Sequence, residues 1–249
     1  MSYRILVVDD EESIRFTFSA FLCDAGYAVE TAESLEEALN KIASQRFDAI
    51  FLDILLGRDS GMVALKASRE SLPNTPVIMA TGAPDINTAT EAVRLGAFDY
   101  ITKPVHQDEL LRQAKLAVEH KLLVDKQESY QLRMAAVFQS VQEGIMVFDE
   151  EMKLMEINDA AVRLLACGIS LKGLTPKEIS EHCPPLDIFR EMIEERCEGG
   201  VFRLESKTSA GKPLIFGLTM APLTGHGGRE LGTVLVLRDE SVPSRQISS

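Results

Sequence analysis

Five short apolar runs divide the first half of the chain, and four of them stop at a chemically active side chain. Arg4–Val8 runs into Asp9, Asp10, Glu11 and Glu12, and Ala49–Leu52 ends in Asp53. Val77–Ala80 ends at Thr81, and Phe98–Thr102 is followed at once by Lys103–Pro104. The remaining run, Ala28–Ala32, has no such ending. Apolar stretches this short read as buried strands. Helical patterns separate them. Ser13 opens a helix with Ile14, Phe18, Phe21 and Leu22 inward, and Gly26 is its stop. Ser34 with Glu37 is a capping-box signature for a helix to about Gln45. Further helices are expected from about Met62 to Ser71, from Pro84–Asp85 to Gly96, and from near Gln107. Strand–helix alternation of this kind predicts right-handed crossovers and a parallel sheet covered on both faces. The functional crevice of such a sheet lies outside the carboxyl ends of its strands.

That edge gathers three acids, a hydroxyl and an amine: Asp9, Asp10, Asp53, Thr81 and Lys103. Two carboxylates about 4 Å apart repel by roughly 4 kcal/mol at an effective dielectric near 20. Three together call for a cation, and an all-oxygen site with few protein ligands suits Mg²⁺. One acid can then attack a phosphoryl group while the lysine and hydroxyl neutralise its oxygens.

Bulk properties exclude other classes. Residues 1–125 carry 12 Lys and Arg against 20 Asp and Glu, and residues 126–249 carry 14 against 18. Neither half is basic, so no nucleic-acid contact is expected from this chain. No apolar run approaches the roughly 18 residues that span a bilayer, and the N-terminus lacks the layout of a signal peptide. A cytoplasmic location with no membrane contact follows as the default. Cys23, Cys167, Cys183 and Cys197 form no CxxC and read as free, buried or half-buried thiols.

The segments ILVVDDE (Ile5–Glu11), FLDI (Phe51–Ile54), MATG (Met79–Gly82) and DYITKP (Asp99–Pro104) resemble the response-regulator receiver domain of two-component signalling. The resemblance covers about residues 1–122. It implies a flavodoxin-like (βα)5 fold with Asp53 as phospho-acceptor. Asp10 and Asp53 would ligate Mg²⁺ directly, Asp9 mainly through water, and the Leu55 carbonyl would add a ligand. Lys103 would hold a phosphate oxygen, and Thr81 would swing toward the phosphoryl group. Tyr100 would follow it inward as an aromatic switch, although a plain packing role for that ring stays open. The Lys103–Pro104 bond would be cis. The implied partner is a sensor histidine kinase or phosphotransfer protein. One departure is Gly57, where receivers usually carry proline; glycine would leave the loop more mobile and loosen metal binding without removing a ligand. Leu55 and Ala83, two residues beyond Asp53 and Thr81, cannot orient an attacking water, so the acyl phosphate is expected to be long-lived.

From Gln107 to Gln142 neither Pro nor Gly occurs, which predicts one long helix or two nearly continuous ones. A heptad seam of Val118, Leu122, Asp125, Ser129, Leu132 and Ala136 is apolar at four positions of six. A dimeric coiled coil and a solvated spacer both remain open. His120 on this helix reads as a surface residue. Beyond it the pattern becomes antiparallel: Gly144–Phe148, Leu154–Asn158, a short helix at Ala160–Ala166, then strands at Val201–Ser206, Leu214–Ala221 and Leu231–Arg238. The stretches Ser140–Ala161 and Leu231–Ser241 resemble a PAS domain, an α+β fold with a five-stranded antiparallel sheet and one face open to a small cavity. This implies a sensory or dimerising module. Its ligand is unknown: Cys183 lacks the flavin-adduct surroundings, His182 reads as structural rather than as a haem ligand, and Gly211–Lys212 is a hairpin turn.

The expected layout is a receiver over 1–122, a helical linker over 123–137, a PAS-like domain over 138–240 and a polar tail over 241–249. The expected function is a phospho-accepting switch rather than a conventional enzyme, with a homodimer through the linker helix or PAS domain left open. A ligand-sensing PAS protein using the receiver as a platform is the alternative reading. A further alternative is the front of a hybrid sensor kinase or of an enhancer-binding activator.

Overall fold

The first sheet is apolar on both faces, because successive residues of its strands point to opposite helical layers. A computed structural model describes residues 2–82, 85–165, 170–182, 201–207 and 213–240. Ala83, Cys167, Cys183, Cys197, the Gly211–Lys212 turn and the tail from 241 lie outside the described residues. The chain divides into two units, Met1–Tyr130 and Gln131–Ser249.

The first unit runs β1 (Arg4–Val8), α1 (Glu12–Asp24), β2 (Ala28–Ala32), α2 (Leu35–Ser44) and β3 (Ala49–Asp53). Then come β4 (Leu55–Leu56), β5 (Asp59–Ser60), α3 (Gly61–Ser71), β6 (Val77–Thr81), α4 (Ile86–Arg94), β7 (Asp99–Thr102) and α5 (Gln107–Ser140). The strand order is β2-β1-β3-β6-β7, all parallel. Leu6, Val8, Ile50, Leu52, Val77 and Met79 pack toward α2, α3 and α4 through Ala38, Ile42, Ala64, Leu65 and Ala92. Their neighbours Ile5, Val7, Ala49, Phe51, Ile78 and Ala80 pack on α1 and α5 through Phe18, Leu22, Leu110, Ala114 and Val118. Chain order reverses at β1, which places the switch-point crevice between the carboxyl ends of β1 and β3.

Local signals hold with small shifts. Ser34 Oγ accepts from the Glu37 N–H at 3.3 Å, but the Glu37 carboxylate accepts from Glu33 N rather than from the cap residue itself. The β4–β5 hairpin, directly after Asp53, was not legible, since two-residue strands show no periodicity. Cys23 is exposed on α1, contrary to the buried or half-buried reading.

The connecting helix α5 is one uninterrupted element. Its first turns bury Leu110, Ala114, Ala117 and Val118. Val118, the first position of the expected seam, is therefore used by the first unit's own core. Farther along, Asn74 on the α3–β6 connection donates to Asp125 Oδ1 at 3.2 Å and to Glu128 Oε2 at 2.7 Å. Leu122 and Leu132 of that seam are exposed, as are Leu116, Leu123 and Tyr130, which recur seven apart. His120 lies against the Phe98 ring, with centroids 5.1 Å apart.

The second unit contains β8 (Gly144–Phe148), β9 (Leu154–Ile157), α6 (Asp159–Leu165), α7 (Pro176–His182), β10 (Val201–Lys207), β11 (Pro213–Thr224) and β12 (Glu230–Asp239). These strands form an antiparallel sheet of order β10-β11-β12-β8-β9. Met146, Phe148, Phe216, Leu218, Leu235 and Leu237 on one face pack with Ala161, Leu165, Leu171 and Ile179. His182 is exposed.

Candidate functional site

Parallel strand order brings the charged strand ends to one edge. Asp53 is the last residue of β3, and Asp9 follows the paired strand β1. Asp9, Asp10 and Asp53 each offer a carboxylate oxygen, and these atoms lie within 4.8 Å of one another. Asp9 and Asp53 are buried, whereas Asp10 is exposed. Lys103, just past β7, reaches across the edge. Its Nζ lies 2.6 Å from Asp9 Oδ2 and 2.6 Å from Asp53 Oδ2, with Glu11 Oε1 at 3.7 Å. Thr81 ends β6 and is buried. Its carbonyl accepts from the Lys103 N–H at 2.7 Å, and the peptide bond from Lys103 to Pro104 is cis.

Backbone groups hold the acids in place. Asp9 Oδ1 accepts from Glu11 N at 3.0 Å, and Asp53 Oδ1 accepts from Leu55 N at 3.2 Å. Asp10 Oδ2 accepts from Gly57 N at 3.1 Å. Arg15 Nη1 donates to the carbonyls of Asp9 and Asp10 at 2.8 and 2.9 Å, which pins the loop carrying both acids. Ser60 Oγ caps α3 through Met62 N, and Leu55 leaves its side chain in solvent.

The electrostatics are unbalanced. Burial raises the Asp9 carboxyl above its ordinary range, against the hydrogen bonds from Lys103 and the Glu11 N–H that lower it. Burial alone would lower the Lys103 amine, but hydrogen bonds to Asp53 and Asp9 outweigh it and hold its pKa above the ordinary value. Three carboxylates against one ammonium leave two negative charges over when all are ionised. An all-oxygen donor set with that surplus fits a hard divalent cation. The cluster of Asp9, Asp10 and Asp53 thus meets the chemical requirement for Mg²⁺.

Tyr100 is half-buried against the core beside α4, and its hydroxyl is shut from solvent with no hydrogen-bond partner among the described residues. A buried hydroxyl left unpaired costs about 1–3 kcal/mol. Tyr100→Phe is accordingly expected to leave stability unchanged or raise it by up to about 1 kcal/mol. Thermal unfolding reads this out, and a clear loss of stability would mean that the hydroxyl is bonded in solution.

Two site residues carried no local signal. A Cβ on Gly61 would lie 1.9 Å from the Asp53 carbonyl oxygen, so the chain after the hairpin passes directly over the Asp53 backbone. Arg15 is equally invisible in the sequence, because its bonds to the site go to backbone carbonyls.

The family model for the response regulator receiver domain matches residues 5–115, and that for the PAS fold matches residues 132–239. The transcriptional regulatory protein DltR of Streptococcus agalactiae is 34% identical over 162 residues, covering 62% of this chain and 71% of DltR. The alginate biosynthesis transcriptional regulatory protein AlgB of Pseudomonas aeruginosa is 30% identical over 228 residues. That match covers 84% of this chain but only 50% of AlgB, so the chain spans about half the length of that relative. A CheY-like receiver domain protein from Methanospirillum hungatei matches with a TM-score of 0.48 and 31% identity, over 49% of this chain and 97% of that one.

Proposed function

The chain belongs to the response-regulator family of two-component signalling, a receiver domain followed by a PAS fold, and from that premise we propose that Asp53 is its phospho-acceptor. The observation that carries the reading is Lys103 Nζ seated 2.6 Å from both Asp53 and Asp9, beside Asp10 and Thr81 on one sheet edge. An Asp53 oxygen attacks the phosphorus of a phosphohistidine, and the bond from phosphorus to the imidazole nitrogen breaks. Lys103 moves from Asp53 to a phosphoryl oxygen, keeping its second contact to Asp9. The Thr81 hydroxyl, at the end of the neighbouring strand, takes another oxygen. Asp10 and Asp53 would hold a divalent cation directly, with Asp9 mainly through water and the Leu55 carbonyl as a further ligand, and the cation would supply the remaining charge neutralisation.

The donor is a sensor histidine kinase or phosphotransfer protein. Residues 1–122 form the receiver, 123–137 the linker, 138–240 the PAS-like module and 241–249 the tail. Tyr100 shifts with Thr81 on phosphorylation, and α5 carries the change onward. Leu55, with an exposed aliphatic side chain, gives water no base, so the acyl phosphate hydrolyses slowly. Intact mass after incubation with Mg²⁺ and a small acyl phosphate donor tests the reading. One added phosphoryl group is expected, persisting for minutes or longer; no adduct where a known receiver reacts would refute it. Among the described residues, no helix is long and apolar enough to cross a membrane.

A further inference from the structure

The three acids of the cluster are not held alike. Asp53 is pinned by Lys103 and the Leu55 N–H, and Asp9 by Lys103 and the Glu11 N–H. Asp10 is exposed, and its carboxylate takes one hydrogen bond, from the Gly57 N–H at 3.1 Å. An exposed aspartate without that bond would exchange among staggered rotamers, most of which point it away from its partners.

We propose that the backbone N–H of Gly57 is the positioning group for Asp10, holding the one exposed carboxylate of the cluster where it can ligate a divalent cation. The inference rests on the reading of Asp9, Asp10 and Asp53 as a cation site. Gly57 lies at the tip of the β4–β5 hairpin, whose pairs are Leu55 with Ser60 and Leu56 with Asp59. Both ends of that hairpin are fixed. Leu55 N is bonded to Asp53, and the Gly61 N–H donates to the Ile54 carbonyl at 2.8 Å as α3 begins. β3 and α3 therefore anchor the two ends of the hairpin that carries Gly57.

Two properties of residue 57 matter, its N–H and its φ of +65°. That φ lies in the left-handed region, open to glycine and tolerated by asparagine. Proline has no N–H and a φ fixed near −65°. Space is not the constraint, because a Cβ at position 57 would meet nothing within 4 Å. A carboxylate has about four lone-pair sites, so one bond from Gly57 leaves Asp10 free to ligate through the other oxygen.

The test measures Mg²⁺ and Mn²⁺ binding to the full chain by calorimetry, for the wild type, Gly57→Asn and Gly57→Pro. Gly57→Asn keeps both properties and is expected to bind like the wild type. Gly57→Pro loses both, and its affinity is expected to fall about tenfold, the lower end of what losing an outer partner of a ligand costs. Because proline cannot hold a φ of +65°, the thermal midpoint of Gly57→Pro without added cation is expected to fall, and binding is measured well below that midpoint, where the chain is folded. Equal affinity in Gly57→Pro overturns the inference while leaving the cation site standing. A wild type that binds neither ion overturns both. Should Gly57→Pro fold poorly, amide exchange decides. The Gly57 amide is expected to be protected in the wild type and exposed in Asp10→Ala, and an unprotected Gly57 in the wild type overturns the inference.

Discussion

Lys103→Met is expected to destabilise the first unit by about 3 kcal/mol at neutral pH, within the range for breaking a buried ion pair from one side. The lysine side chain is almost fully buried and sits 2.6 Å from each of two buried carboxylates. Without it, Asp9 and Asp53 face each other with ligand oxygens no more than 4.8 Å apart, which costs about 3 kcal/mol at an effective dielectric near 20. Methionine matches the stem in size, so packing is retained and the electrostatic loss is isolated. The variant should be more stable in mildly acid than in neutral buffer. Burial already raises the Asp9 carboxyl, and losing Lys103 removes the strongest influence that lowers it. The folded state then holds a proton that the unfolded chain releases, so stability falls as pH rises. A divalent cation should restore much of the loss by supplying the missing positive charge. Phosphoryl uptake should drop about 100-fold or more, as when one preorganised electrostatic donor is removed. Denaturant unfolding with and without Mg²⁺, at two pH values, checks each part. A variant as stable as the wild type under both conditions would contradict the assigned electrostatics.

Asn158→Leu is expected to unfold the second unit and spare the first. Asn158 is fully buried and uses its whole amide. Its Oδ1 accepts from Ile145 N at 2.8 Å and from Ala161 N at 2.9 Å. Its Nδ2 donates to the Phe138 carbonyl at 3.2 Å and to the Glu143 carbonyl at 2.9 Å. One side chain thus ties the end of α5, the start of β8 and the start of α6. Leucine orphans two N–H groups and two carbonyls at about 1 kcal/mol or more apiece, a total of roughly 4 kcal/mol or more. That is a large share of the stability of a domain, about 5–15 kcal/mol. Asn158→Asp is no rescue, because it turns an acceptor toward both carbonyls. Limited proteolysis should cut the variant's second unit rapidly, while uptake of phosphoryl on Asp53 persists. Intact resistance in the second unit would show that the four bonds contribute little.

The sequence reading of the sheet edge succeeds for a physical reason. A buried parallel strand is a short apolar run, and its end is marked by the first residue that cannot be buried alone. Asp9, Asp53, Thr81 and Lys103 are each such a residue, so fold class and site were visible together. What stayed hidden depends on contacts between distant or backbone groups. Gly61 is required by its approach to the Asp53 carbonyl, and that contact has no sequence pattern. The hairpin that puts Gly57 against Asp10 is built from strands of two residues. Asn158 lies within the stretch Ser140–Ala161 that carries the PAS resemblance, but its four bonds show no sequence pattern. On α5, helical periodicity alone could not assign Val118 to the first unit's core, whereas Leu122 and Leu132 of the same seam are exposed.

The central claim is that phosphate arrives on Asp53, and reductive trapping tests it most directly. The chain is loaded with a small acyl phosphate donor in Mg²⁺, treated with borohydride and mapped by peptide mass. An aspartyl phosphate is reduced to homoserine, so the account predicts homoserine at position 53, none at Asp9 or Asp10, and none anywhere in Asp53→Asn. Trapping at another acid, or in the Asp53→Asn variant, would contradict it.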